Sequence, residues 1–142
     1  MNSGAHKQYN QVQIQTATKG KLIVLLYQGA IRHMKKALLH MERKEIEAKG
    51  NCLIRAQDIV LELLYALDHE MLRSGNELAL NLQRLYLYCY RRLVQANIHM
   101  DRRAIEEVVA LMTNLLEAWQ QVAVGERRAE VAAPSTGVAL TG

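Results

Sequence analysis

Between Asn81 and Asn97 the chain carries more apolar surface than one buried helix face requires. At about 100° per residue, Leu78, Leu82, Leu85, Cys89, Leu93 and Ala96 fall on one side. That stripe alone is enough to seat a helix in a core. Leu80, Leu87 and Val94 recur every seventh residue on the far side, and Tyr86 and Tyr90 bridge the two stripes. A helix that is apolar on two sides must be buried on both or must hold a partner. The chain is therefore expected to pack helices against one another and to have apolar surface left over.

The same excess recurs in the flanking segments. A first helix is predicted from a cap at Thr16 or Thr18 to about Arg43, with Ile23, Leu26, Ala30, Met34, Ala37 and Met41 on one stripe. Val24, Tyr27, Ile31 and Leu38 lie beside that stripe, and Gln28, Arg32, Lys35 and Lys36 stay wet. A second helix starts near Glu45. Leu53, Ala56, Val60, Leu63, Leu64 and Leu67 form its main stripe, and Ile54, Leu61 and Tyr65 a lateral one. Gly50, in its first turns, weakens it by about 1 kcal/mol relative to Ala. Ser74-Gly75-Asn76 breaks the pattern, and Glu77 opens the third helix, which ends between Asn97 and Met100. Asp101 caps a fourth, amphipathic helix through Ile105, Val108, Met112, Leu115, Leu116 and Trp119, expected to stop at Gly125. Leu dominates and Pro occurs only at Pro134, which favours helix over sheet. The predicted fold is all-α, an antiparallel up-and-down four-helix bundle over residues 16–124. It is flanked by a mobile N-terminal segment, 1–15, and a disordered tail, 125–142.

Several function classes are disfavoured. The net charge of +4 is spread among alternating acids and bases, so no nucleic-acid partner is expected. Met1–Tyr9 has no apolar leader core, and no unbroken apolar run is longer than Leu22–Tyr27, so no direct membrane insertion is expected and the predicted location is cytoplasmic. Cys52 and Cys89 make no CxxC pair and read as small packing residues in a reducing compartment. His6, His33, His40, His69 and His99 lack the partners of a di-metal bundle or a zinc-protease helix, so no metal and no cofactor are expected. Asp68 and Glu70 do not share a helix face, and Ser3, Ser74 and Ser135 sit in no nucleophile setting. The chain does not read as an enzyme.

The surplus stripes leave two readings open: a groove for another protein's amphipathic segment, or a seam between two copies of this chain. Arg92 falls near the core stripe, where pairing with a carboxylate or capping a backbone carbonyl would suit it, and Arg91 is more exposed. Asn97 fits either a helix C-cap or an amide that satisfies the backbone of a bound peptide.

Certain runs are more specific. Tyr9, Thr16-Ala17-Thr18, Leu22 and Leu26-Tyr27-Gln28-Gly29-Ala30 form an N-terminal pattern. Arg55-Ala56-Gln57, Ile59, Glu62-Leu63 and Leu67-Asp68 follow in the second helix. Leu85-Tyr86-Leu87-Tyr88, Arg91-Arg92-Leu93, Ala96-Asn97 and Asp101 follow in the third, and Ala118-Trp119 closes the set. With these runs the chain resembles the flagellar secretion chaperone family, FliS, over nearly all of Tyr9 to Trp119. It differs at Gln28, where that family commonly has Asp or Asn, and at Lys19, where it commonly has Pro.

The resemblance implies a cytoplasmic four-helix-bundle chaperone that binds the disordered C-terminal segment of flagellin. Such a chaperone prevents premature polymerisation and presents its client to a component of the flagellar type III export gate. It further implies that the N-terminal segment lies over the groove until client displaces it. Tyr9, Tyr27 and Ala30, with Arg91, Ala96 and Asn97, match family positions. Together with Leu61, Tyr65, Leu80, Leu87, Tyr90 and Val94 of the surplus stripes they form the expected partner-binding set. The alternative is a self-associating helical bundle, a homodimer when client-free.

Overall fold

The computed structural model describes residues 19–141. Every regular element among them is helical: α1 (Lys19–Glu42), α2 (Ile46–Tyr65), α3 (His69–Arg73), α4 (Glu77–His99) and α5 (Arg102–Thr141). The expected caps at Thr16 and Thr18 and the expected mobile segment 1–15 lie outside the described residues. The chain divides into two compact units. One is Leu26–Leu116; the other is Met1–Leu25 with Glu117–Gly142, of which residues 19–25 and 117–141 are described.

Local chemistry sets the boundaries. α1 ends in a Schellman turn: Glu45 N–H donates to His40 C=O at 2.9 Å and Lys44 N–H to Met41 C=O at 3.1 Å. Lys44 takes the left-handed conformation there, φ 60°, which usually falls to Gly. Asp68 accepts from the Glu70 N–H at 2.9 Å and so opens α3. Asn76 accepts from the Ala79 N–H at 3.0 Å and opens α4 at Glu77, the expected start. Asp101 accepts from the Ala104 N–H at 3.2 Å, the expected cap of the last long helix.

Two boundaries differ from expectation. The second helix stops at Tyr65, and the separate short helix α3 precedes the Ser74–Asn76 break. Asp68 is the cause, because its carboxylate captures the N–H groups of Glu70 and Met71 and starts a new helix. The last helix does not end at Gly125; α5 runs to Thr141. One glycine costs about 1 kcal/mol, and the residues that follow it, Glu126 to Ala133, are mostly strong helix formers.

Within Leu26–Leu116 the core draws on all four long helices. Tyr27, Ala30, Ile31, Met34 and Ala37 come from α1, and Leu53, Ala56, Val60 and Leu63 from α2. Ala79, Leu82, Tyr86, Cys89, Leu93 and Ala96 come from α4, and Ala104, Ile105, Val108 and Met112 from α5. The α4 stripe is rotated slightly from the expected one. Leu78 is 64% exposed, while Tyr86, expected at the boundary, is 3% exposed. A hydroxyl partner makes that burial tolerable: Tyr86 Oη lies 2.6 Å from Tyr27 Oη, with the rings tilted at 57°. Gln28, Arg32, Lys35 and Lys36 are exposed, as expected. In the smaller unit Ile23 is buried and Leu25 and Val124 are exposed. Trp119, expected in the core, is half-buried there.

α1 and α2 approach closely at Gly29, where a Cβ would come within 3.3 Å of Ile59 Cδ1. His33 lies on α1 in a positive field. Burial, then Arg32, Arg55 and Lys36, hold its pKa below the ordinary 6.5. The unfolded chain therefore binds this proton more readily than the folded one, and stability falls as pH drops through 6.5 and below. His33→Gln should reduce the loss of urea midpoint between pH 7 and pH 5. An unchanged loss would place the acid sensitivity elsewhere.

Candidate partner-binding face

Neighbouring contacts fix which flank of each helix faces which neighbour. On α2, Ile59 meets α1, so the half-buried residues Cys52, Ile59 and Ala66 point that way. The opposite flank carries Gly50, Gln57, Leu61 and Leu64, all half-buried, and Gly50 lies against Asn97 of α4. On α4, Tyr88 and Arg92 reach α5, donating to Glu107 at 2.9 and 2.8 Å. The other flank of α4, Leu80, Gln83, Leu87, Tyr90, Val94 and Asn97, is half-buried along its whole length and turns toward α2. The two flanks meet in one seam. Ile54, 49% exposed, and Tyr65, 70% exposed, stand at its outer edge on α2.

One end of this seam is pinned by Lys49, a residue the expected set lacks. Its side chain is 2% exposed, and its ammonium donates to the Asn97 backbone carbonyl at 3.0 Å and to Asn97 Oδ1 at 2.8 Å. The cation thereby meets a free carbonyl in the last turn of α4, the negative end of that helix dipole. Burial lowers the Lys49 pKa. Asn97 is therefore neither the C-cap, which is Met100 at φ 53°, nor an unoccupied amide. Lys49 lies four residues before Leu53 and shares the phase of the α2 core stripe, but a lysine at that phase reads as a boundary residue until its partner is known.

The structure divides the expected set. Leu61, Leu80, Leu87, Tyr90 and Val94 are half-buried, and Tyr65 and Arg91 are exposed. Ile54 belongs with them by position, although the sequence placed it only in the lateral stripe. Tyr27, Ala30 and Ala96 are each 0% exposed, so in this structure they are core and not contact surface. For Ala30 and Ala96 the reason is size, since small side chains let helices approach. For Tyr27 it is the hydroxyl pair with Tyr86. Tyr9 lies outside the described residues. Arg92 has the carboxylate partner its position suggested, Glu107, which is also bound by Tyr88. Those two hydrogen bonds, Arg92 first, hold the Glu107 carboxyl below its usual range.

Nothing in this seam is arranged for bond-making chemistry. Among the described residues no three of His, Cys, Asp and Glu converge as metal ligands. Cys89 is 1% exposed, and burial, with a smaller push from Glu107, drives its thiol from 9.0 up to about 12. Cys52 is half-exposed. Iodoacetamide at pH 8 should label Cys52 and leave Cys89 intact until denaturant is added. Because the folded chain holds the Cys89 proton more tightly, its contribution is full below about pH 9 and is lost as pH climbs toward 12. Cys89→Ala should flatten that loss. Equal labelling of both thiols in the folded protein would contradict the packing of α4.

The family model described as flagellar protein FliS matches residues 1–126. The chain belongs to the FliS family. It is similar to the flagellar secretion chaperone FliS of Salmonella typhimurium, 41% identical over 82% of this chain and 87% of that protein. It is also similar to the flagellar secretion chaperone FliS of Bacillus subtilis, 37% identical over 84% of this chain and 86% of that protein. The flagellar secretion chaperone FliSB of Pseudomonas aeruginosa is 40% identical over 83% of this chain and 94% of its own length. FliS is a chaperone family and not an enzyme family, in keeping with the reading of the residues. Among the described residues no helix is long and apolar enough to cross a membrane.

Proposed function

We propose that the protein is a cytoplasmic export chaperone that binds the disordered C-terminal segment of flagellin along the seam between α2 and α4. The bound segment is kept from polymerising prematurely and is delivered to a component of the flagellar type III export gate. The supporting observation is the seam itself: Leu61, Leu80, Leu87, Tyr90 and Val94 are all left partly open to water, with Ile54 and Tyr65 more so. The names of the relatives, flagellar secretion chaperones, support the same reading. In this proposal α1, α2, α4 and α5 form an antiparallel up-and-down bundle, in line with the contact between the start of α2 and the end of α4. In this reading Tyr9, which lies outside the described residues, also serves client binding.

Energetics favour a disordered client. Burying about 1,000 Å² of apolar area gains roughly 25 kcal/mol. Ordering a chain costs about 1–2 kcal/mol per residue. Much of the gain is offset in this way, so the segment binds firmly yet releases at a gate. Size-exclusion chromatography with a flagellin C-terminal peptide tests this directly. A 1:1 complex is expected. A constitutive dimer indifferent to peptide would instead assign the seam to self-association.

A further inference from the structure

A second groove lies between α1 and α5, with a cavity volume of about 340 Å³. Ile31, Leu39 and Leu116 form its apolar floor, and Arg32, Lys35 and Lys36 stand on its rim with Gln28. Leu39, in the last turn of α1, is 51% exposed, so its apolar surface is open to a partner. None of the three cations enters an ion pair among the described residues, where the pairs are His40–Glu45, Arg92–Glu107 and Arg102–Glu106. No Asp or Glu occurs in α1 before Glu42, so this helix offers the rim no internal counter-charge. The seam between α2 and α4 has a different character, because its flanks carry Leu, Val, Tyr and Gln and not a row of bases.

We propose that the α1–α5 groove is a second docking site, and that its occupant is an acidic amphipathic helix of another protein. The apolar face of that helix sits on Ile31, Leu39 and Leu116, and its carboxylates meet Arg32, Lys35 and Lys36. Charge complementarity selects this occupant: an apolar floor between two helices fits a third helix, and three unpaired cations on one rim fit Asp or Glu at spacings of three and four. A nucleic-acid backbone would use the cations and leave the apolar floor without a partner. The site is independent of the flagellin reading, since it shares no residue with the α2–α4 seam.

The test uses the full chain and a fluorescein-labelled designed peptide of about 12 residues, long enough to span the roughly 17 Å from Gln28 to Leu39. The peptide carries Leu at spacings of three and four, flanked by Glu, on an Ala background. Saturable binding by anisotropy is expected, weakening with salt and falling about tenfold or more in Arg32→Glu/Lys35→Glu/Lys36→Glu. Leu39→Asp should weaken it as well, as should replacing the peptide's Leu with Gln, while Leu87→Asp should leave it unchanged. Melting curves of each variant confirm folding. Absence of binding to the wild type, equal binding of a Lys-for-Glu peptide, or indifference to the triple charge reversal would overturn the proposal. So would phosphatidylglycerol-containing vesicles or a single-stranded oligonucleotide binding more tightly than the peptide and losing that binding in the triple variant.

Discussion

Leu87→Asp combined with Val94→Asp is expected to reduce affinity for a flagellin C-terminal peptide by at least about 100-fold and to leave the far-UV helical signal intact. Both side chains are half-buried, on the α4 flank that turns toward α2. In the free protein an aspartate at either position can lean toward water, so folding loses only some of a packing contact. Once a client covers the seam, each carboxylate must be stripped of water without a partner, at a cost of roughly 2–3 kcal/mol or more per site. That sum corresponds to well over 100-fold in Kd. Leu93→Asp, one residue before Val94 and 0% exposed, is the contrast, since it should unfold the protein outright. Calorimetric titration with melting curves separates the outcomes. If Leu87→Asp and Val94→Asp unfold as Leu93→Asp does, those positions are core and the seam is misplaced.

The second large effect concerns Lys49 and Asn97, where the two partners should be unequal. Asn97→Leu removes the Oδ1 acceptor at 2.8 Å and leaves a buried ammonium with one fewer ligand, for a loss of about 2–3 kcal/mol. Lys49→Met removes the charge together with its need for acceptors and keeps most of the side chain's volume. It should cost less than about 1 kcal/mol, or stabilise. The double variant should recover most of the Asn97→Leu loss. The pH dependence carries the matching sign. Burial lowers the Lys49 pKa, so the unfolded chain binds this proton more tightly, and stability gains as pH rises from that lowered value toward 10.5. Lys49→Met removes the gain and leaves the opposing loss from Cys89. Urea denaturation of the four proteins measures every contribution. Equal losses from both single variants would mean that the ammonium is solvated and that the pin at the end of the seam is not closed.

Much of this architecture is legible in periodicity. The stripes Leu53–Ala56–Val60–Leu63 and Leu82–Cys89–Leu93–Ala96 are buried where a repeat of three and four residues puts them. Asp101, Asn76 and Gly75 mark breaks because their side chains, or the lack of one, do local chemistry that sequence displays. The far-side residues Leu80, Leu87 and Val94, with Leu61 and Tyr65, are none of them buried. Two of the departures from expectation share one physical origin, since sequence phase does not reveal pairwise satisfaction. Tyr86 enters the core because Tyr27 answers its hydroxyl, and Lys49 because Asn97 supplies two oxygens. Either residue alone reads as a boundary or surface side chain, and their partners lie 59 and 48 positions away. A family pattern puts Tyr27 and Ala30 on contact surface because it records that a position matters, without recording whether the reason is packing or recognition.

The phenol pair between α1 and α4 also limits how this molecule can respond to load. Sliding α1 along α4 by one helical turn, about 5.4 Å, would pull apart the hydroxyl oxygens, now separated by 2.6 Å, and break a buried hydrogen bond of Tyr86. Axial slippage at that junction is therefore disfavoured by about 1–3 kcal/mol through a directional contact. Opening for a guest is easier by sideways splay or side-chain rotation where only greasy, direction-blind contacts hold neighbours together.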